Sequence, residues 1–178
     1  DVRSCYDIGK MSLETLSHIY STKYSVNCVV VRPFNAYSYV DKHDTRVLPN
    51  FIKAVLENKP LKVYGKDNNT RTFCFVTDAV EGFLRAMAYG RSGQVYNIGN
   101  PSPEITIKDL AALVKSIAHE SKSEIIEVEY PEHYPSTEPH RRCPDLTKSK
   151  KELGYSPVVT LEEGISKFYE WAKVKYTE

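Results

Sequence analysis

Residues 27–35 read NCVVVRPFN, and the fold turns on them. Cys28, Val29, Val30 and Val31 make a continuous apolar run, which predicts a strand buried on both faces, as in a parallel sheet; Pro33 ends it. Just upstream, Ile8, Met11, Leu13, Leu16, Ile19 and Tyr20 recur mostly three or four residues apart, which predicts an amphipathic helix over 8–24. A helix that runs straight into such a strand is the second half of a βαβ unit. The chain is therefore expected to open inside an α/β domain whose earlier strands are not in it.

The downstream pattern continues in α/β fashion. Val47, Phe51, Ile52, Val55 and Leu56 predict a helix from Val47 to Asn58, ended by ENKP. LKVYG and RTFCFV read as two short strands around the polar turn KDNNT. Thr77 or Asp78 is positioned to cap the next helix, with Val80, Phe83, Leu84 and Met87 as its apolar face. SGQVYNIGN gives a further strand and turn, EITIKDLAALVKSIA a strand-to-helix step, and EIIEVEY an alternating strand. LTKSKKELG and TLEEGISKFYEWAKV predict two closing helices. Between them and EIIEVEY lies a polar loop, 130–146, holding His133, His140, Arg141 and Arg142. Loops of that length usually have a function.

Composition excludes several classes. At 178 residues and 41% hydrophobic, the chain is long enough to bury a core. Its 24 basic and 23 acidic residues leave a net charge of +1, so nothing draws it globally to nucleic acid or to an anionic membrane. Any anion must be recognised by a few placed residues. The four cysteines, Cys5, Cys28, Cys74 and Cys143, have no CxxC spacing, so neither a zinc site nor a disulfide framework is suggested. A reducing, cytoplasmic compartment follows as the expectation. His133 and His140 lack a partner carboxylate pattern, so no metal is expected. No apolar run reaches the ~20 residues of a membrane span, and no signal-peptide pattern opens the chain.

The chemistry is concentrated in SCYDIGKMSLE, residues 4–14. Tyr6 and Lys10, four apart, share one helix face. A nearby ammonium favours the phenolate form of a tyrosine, whose ordinary pKa is about 10, and such a phenol can act as a general base on a sugar hydroxyl. Tyr and Lys also fall four apart by chance on many helices, so only the surrounding motifs can decide.

Those motifs are ordered: Tyr-x-x-x-Lys, the helix, VVVRPFN, RVLPNFIKAVL, VYG, TRTFCFVTDAVEGFLRAM, YNIGNP and RRCPDLTKSKKELGY. Over nearly the whole chain this order resembles the extended short-chain dehydrogenase/reductase family of nucleotide-sugar enzymes. Within it the resemblance is strongest to the UDP-glucuronate decarboxylases, with dTDP-glucose 4,6-dehydratases and UDP-sugar 4-epimerases as alternatives. It implies the last part of a Rossmann-type parallel sheet in residues 1–36. Residues 37–178 would then form mainly a small mixed α/β substrate-binding domain, with segments returning to the sheet. It also implies NAD as cofactor and a UDP-sugar as substrate.

By this resemblance Tyr6 removes a proton from the sugar 4-hydroxyl while a hydride passes to NAD, and Lys10 holds the nicotinamide ribose. A carboxylate at C5 of the resulting 4-keto sugar is a β-keto acid and loses carbon dioxide. Pro33 and Ala36 match the family stretch beside the nicotinamide, and Asn35 the residue at the substrate diphosphate, although Asn is also a common turn residue. Arg46, Val47 and Asn50 match the loop-to-helix start over the nucleotide, where a helix N-terminus favours an anion. Arg46 is assigned to the cofactor side, with an exposed charge as the plain alternative. Tyr64 matches the position beside the base. Arg71 and Arg142 match the arginines at the phosphates, where two planar guanidiniums suit a diphosphate.

Two departures stand out. Where the family carries Gly-Pro, this chain has Ser38 and Tyr39. No GxxGxxG fingerprint follows a strand; Gly90 and Gly93 have Tyr96 where the third glycine belongs. The isolated chain is therefore expected not to hold NAD or turn over by itself, which leaves a non-catalytic nucleotide-sugar-binding module or a dimerisation fragment as further readings. The uncovered helix and strand are expected to drive self-association, as a homodimer or larger.

Overall fold

The computed structural model describes residues 2–65, 69–132 and 139–176. The first helix, α1 (Val2–Tyr24), is followed by β1 (Val30–Pro33) and β2 (Ala36–Tyr37). Helix α2 (Val47–Leu56), β3 (Leu61–Tyr64), β4 (Thr70–Arg71), β5 (Cys74–Phe75) and α3 (Val76–Tyr89) come next. Then follow β6 (Val95–Ile98), β7 (Ile105–Thr106), α4 (Ile107–Ile117), β8 (Ile125–Val128), β9 (Arg141–Arg142), α5 (Thr147–Leu153) and α6 (Leu161–Lys175). Among the described residues parallel pairing dominates: β1 with β6, β2 with β5, β3 with β8, and β4 with β9; only β4 and β7 run antiparallel. The architecture is α/β, as the alternation of elements predicts.

Among the described residues two apolar clusters hold it together. The larger sets Phe51 and Ile52 of α2 against Leu61 of β3, Leu110 and Val114 of α4, and Ile165 and Phe168 of α6. The amphipathic pattern of α2 explains its docking: Leu48, Pro49, Phe51, Ile52 and Val55 are buried, each large aliphatic or aromatic side chain contributing about 1.5–3 kcal/mol. Helices α4 and α6 start at threonine caps, Thr106 accepting from the Asp109 amide and Thr160 from the Glu163 amide, which satisfies backbone donors the first turn leaves unpaired. The smaller cluster joins Ala86 of α3, Tyr96 and Ile98 of β6, and Leu153 of α5 with Leu146 and Tyr155, and β1 packs against it through Val31.

Several expectations need correction. The strand at 28–31 is not buried on both faces: β1 starts at Val30, its first two residues are half-buried and Arg32 and Pro33 are exposed. Among the described residues its only strand partner is β6, so the other edge is uncovered. RTFCFV is two dipeptide strands rather than one, and β3 pairs with β8 instead of across the KDNNT turn; residues 66–68 of that turn lie outside the described residues. Neither Thr77 nor Asp78 caps α3, whose N-cap is Phe75. Asp78 is buried within the first turn, and one carboxylate oxygen accepts from the Val158 and Val159 amides at 3.0 and 2.9 Å. It therefore braces the chain entering α6.

The apolar face assigned to α3 is also turned outward. Val80, Phe83, Leu84 and Met87 are exposed, Met87 at 75%, while Ala79, Gly82 and Ala86 face the protein. Small residues are there because the helix lies close: a Cβ on Gly82 would meet an Ile98 methyl at 2.4 Å. Helix α1 is likewise exposed at Ile8, Met11, Leu13 and Leu16. It is tied to β1 by a two-pronged Glu14–Arg32 pair. Among the described residues no helix is long and apolar enough to cross a membrane.

Candidate functional site

A cleft of about 1310 Å³ opens between the N-terminal turn of α2, the end of β3 and the β4–β9 pair. Pro33, Asn35, Ala36, Arg46, Val47, Asn50, Tyr64, Arg71 and Arg142 all line it. These are the residues that sequence matching singled out, apart from Tyr6 and Lys10.

Parallel pairing of β4 with β9 sets Arg71 opposite Arg142 in register. Registered neighbours on parallel strands project to the same side, so the two guanidiniums share one wall. Like charges directly opposite are unfavourable unless an anion lies between them. Arg71 is only 9% exposed. Its Nη1 donates to the Thr70 and His140 carbonyls at 2.8 and 3.2 Å, which orients the fork in advance. Arg141, one residue from Arg142, projects the other way and is held by both carboxylate oxygens of Glu104. That pair keeps the Glu104 carboxyl below its usual range. Strand alternation therefore sends only one member of the RR pair into the cleft.

The rest of the wall is basic. Among the described residues, Lys53, Lys59 and Lys62 join Arg46, Arg71 and Arg142, against the single lining carboxylate Glu57. In a chain of net charge +1, this concentration favours an anionic ligand. Arg46 forks onto Asp44, with Nη2 to Oδ2 at 2.6 Å, and its guanidinium holds the Asp44 carboxyl low. Arg46 is thus held at the rim of the cleft by a neighbouring carboxylate. Asn50 donates to the Thr45 carbonyl at 2.7 Å and so fixes the loop into α2.

Asn35 sits where β1 ends, at a left-handed φ of 38°. Asn tolerates that region better than most side chains. Its amide donates to the Thr72 carbonyl at 2.9 Å and its own carbonyl accepts from the Cys74 amide at 3.2 Å, so the turn ties β1 to the β4–β5 segment. The Ser38–Tyr39 departure is accommodated beside it. Tyr39 packs at 5.4 Å from Trp171 and 5.9 Å from Phe75, ring centre to ring centre.

Tyr64, on the outward face of β3 with Lys62, stacks on Tyr130 at 6.4 Å and 19°. The Tyr130 ring also occupies the space above Gly65, whose φ of 75° and missing Cβ permit the approach. Sequence matching did not select Tyr130, Asn69 or Glu104. The lone signal for Tyr130 is its place at the end of an alternating strand. His133 lies outside the described residues, and His140 bonds Asn69 at 2.9 Å.

Tyr6 and Lys10 do not line this cleft. They lie on α1, with Tyr6 65% exposed and the Lys10 ammonium over its ring, 5.3 Å from the centroid. Tyr6, Lys10 and Glu14 follow one another at four-residue steps along one side of α1. Glu14 is fixed to Arg32, the neighbour of the cleft residue Pro33. That pairing fixes α1 against β1. For a dinucleotide, the residues present suit one end only, since the eight glycines of the chain form no phosphate-binding fingerprint.

Residues 1–99 match the NAD dependent epimerase/dehydratase family. The chain is 40% identical over 165 residues to UDP-glucuronic acid decarboxylase 5 of Arabidopsis thaliana, aligning 92% of its own length with 46% of that protein's. Among solved structures it superposes on UDP-glucose 4-epimerase of Thermotoga maritima, determined with UDP-glucose, at a TM-score of 0.85 and 28% identity; the match covers 97% of this chain and 54% of that one. It also superposes on UDP-glucuronic acid 4-epimerase of Bacillus cereus, in complex with UDP-glucuronic acid and NAD, at a TM-score of 0.82 and 28% identity, covering 97% and 53%. The chain thus spans about half the length of these relatives. With more than half of its residues matched to one family, the chain belongs to the NAD dependent epimerase/dehydratase family.

Proposed function

We propose that the chain carries the nucleotide-sugar site and the Tyr-Lys pair of an NAD-dependent enzyme that acts on a UDP-sugar through a 4-keto intermediate. The reaction proposed is decarboxylation of UDP-glucuronate to UDP-xylose. The observation that carries the reading is the registered pair Arg71 and Arg142 in a basic cleft, which suits a diphosphate. The likeness to a UDP-glucuronic acid decarboxylase favours this reaction over 4,6-dehydration or 4-epimerisation.

In this reading Arg71 and Arg142 bind the diphosphate, Tyr64 lies along the base, and Asn35, Val47 and Asn50 line the substrate side. Tyr6 takes the sugar 4-hydroxyl proton. Lys10 holds the nicotinamide ribose, and Pro33, Ala36 and Arg46 border the cofactor. When bound, NAD supplies the hydride acceptance that the side chains lack. In the 4-keto acid the bond to the carboxylate breaks, its electron pair moves toward the ketone oxygen and carbon dioxide leaves; C5 then takes a proton, and return of the hydride to C4 and of the proton from Tyr6 to the C4 oxygen gives UDP-xylose. The exposure of the α1 and α3 apolar faces supports self-association, with a homodimer as the simplest form.

The test incubates the chain with UDP-glucuronate and NAD, with and without the part of the Arabidopsis relative that it does not span. Decarboxylation only in the mixture, abolished by Tyr6→Phe, supports the reading. UDP binding without turnover in any mixture favours the non-catalytic binding module.

A further inference from the structure

Tyr130, Asn69 and His140 form a polar chain from the Tyr64 wall of the cleft to its arginine wall. The Tyr130 hydroxyl accepts from Asn69 Nδ2 at 3.2 Å, and Asn69 Oδ1 lies 2.9 Å from His140 Nδ1. The His140 carbonyl accepts from Arg71 Nη1 at 3.2 Å and from the Thr70 amide at 2.9 Å. Asn69 is 7% exposed. Its amide is engaged at both ends, as donor to a phenol and as acceptor from an imidazole. A buried amide used in this way has one satisfactory orientation, and losing either bond leaves a polar group poorly paired.

The base end is equally constrained. The Tyr130 ring stacks on Tyr64 and lies so close over Gly65 that an added Cβ would come within 2.2 Å of it. The ring therefore cannot shift toward β3. A displacement of Tyr130 is felt at Asn69, and through His140 at the carbonyl that orients Arg71.

We propose that Asn69 and Tyr130 are positioning residues that couple the base wall of the cleft to its diphosphate wall. The coupling rests on the nucleotide reading above, yet neither residue needs to touch a phosphate. A ligand that presses on Tyr130 through its base sets Arg71 for the diphosphate, and a diphosphate seated on Arg71 sets the stack for the base.

The test is calorimetric titration of the full chain with UDP and with pyrophosphate, which has no base to meet Tyr130. Tyr130→Phe keeps the ring and removes the hydroxyl that bonds Asn69. It is expected to weaken pyrophosphate about fivefold, on the scale of one neutral hydrogen bond. Asn69→Ala should weaken it by at least as much, and the double variant no more than Asn69→Ala alone, because the two act through one path. Thermal unfolding of each variant verifies that it folds. Unchanged pyrophosphate affinity in a folded Tyr130→Phe chain, or additive losses in the double variant, would overturn the coupling. Failure of the unaltered chain to bind either ligand would overturn the nucleotide reading first, and the coupling with it.

Discussion

Arg71 and Arg142 are cations that sheet pairing sets opposite each other on one wall of the cleft. A guanidinium donates two parallel bonds to a phosphate, which an ammonium cannot do in fixed geometry. Arg71→Lys is accordingly expected to weaken UDP about tenfold in a calorimetric titration, despite conserving the charge. Cys74 gives a pH prediction at the same scale. It is fully buried, and desolvation, outweighing the opposing Tyr155 hydrogen bond, pushes its thiol from an ordinary 9.0 to about 11. Between those values the unfolded thiol has lost its proton and the folded one keeps it, so rising pH favours unfolding. The contribution is whole below pH 9 and is lost as pH rises to about 11, a fall of about 2–3 kcal/mol. Urea unfolding across that range should fall less steeply for Cys74→Ala; equal slopes would contradict the assignment. Arg71 and Arg142 could be matched from their motifs, whereas Tyr130 could not. Its role depends on the β3–β8 pairing, which joins segments far apart in sequence and leaves no local spacing to read.

At the scale of elements, periodicity located the helices but not always their buried side. For α2 the two agree, because a large core receives its apolar stripe. For α3 the larger apolar residues point outward, and the protein-facing side is Ala79, Gly82 and Ala86. The reason is distance: Gly82 lies against Ile98 and Tyr155 with no room for a Cβ, so the close-packed face had to be the small one. Hydrophobicity alone ranks the wrong face first. RTFCFV is split into two strands because its halves pair with different partners, β4 with β7 and β9, and β5 with β2. The outward faces of α1 and α3 also predict behaviour. Leu16 and Met87 are 50% and 75% exposed, so Leu16→Lys and Met87→Lys should each change stability by no more than about 0.5 kcal/mol. Both should lower the mass measured by light scattering at high concentration. A monodisperse monomer before substitution would contradict the proposed self-association.

For the whole molecule, the cleft, the arginine wall and the Tyr64 stack lie within the described residues, while Tyr6 and Lys10 lie outside the cleft lining, on a helix tied to β1 by Glu14 and Arg32. Nucleotide binding and turnover therefore make separate demands on this chain, and binding is the nearer test. Calorimetric titration with UDP addresses it directly. Binding to the unaltered chain is predicted, with Arg71→Ala and Arg142→Ala each weakening it about 10- to 100-fold, the range expected for a charged hydrogen-bond donor. Heats that do not change on either substitution would contradict the account.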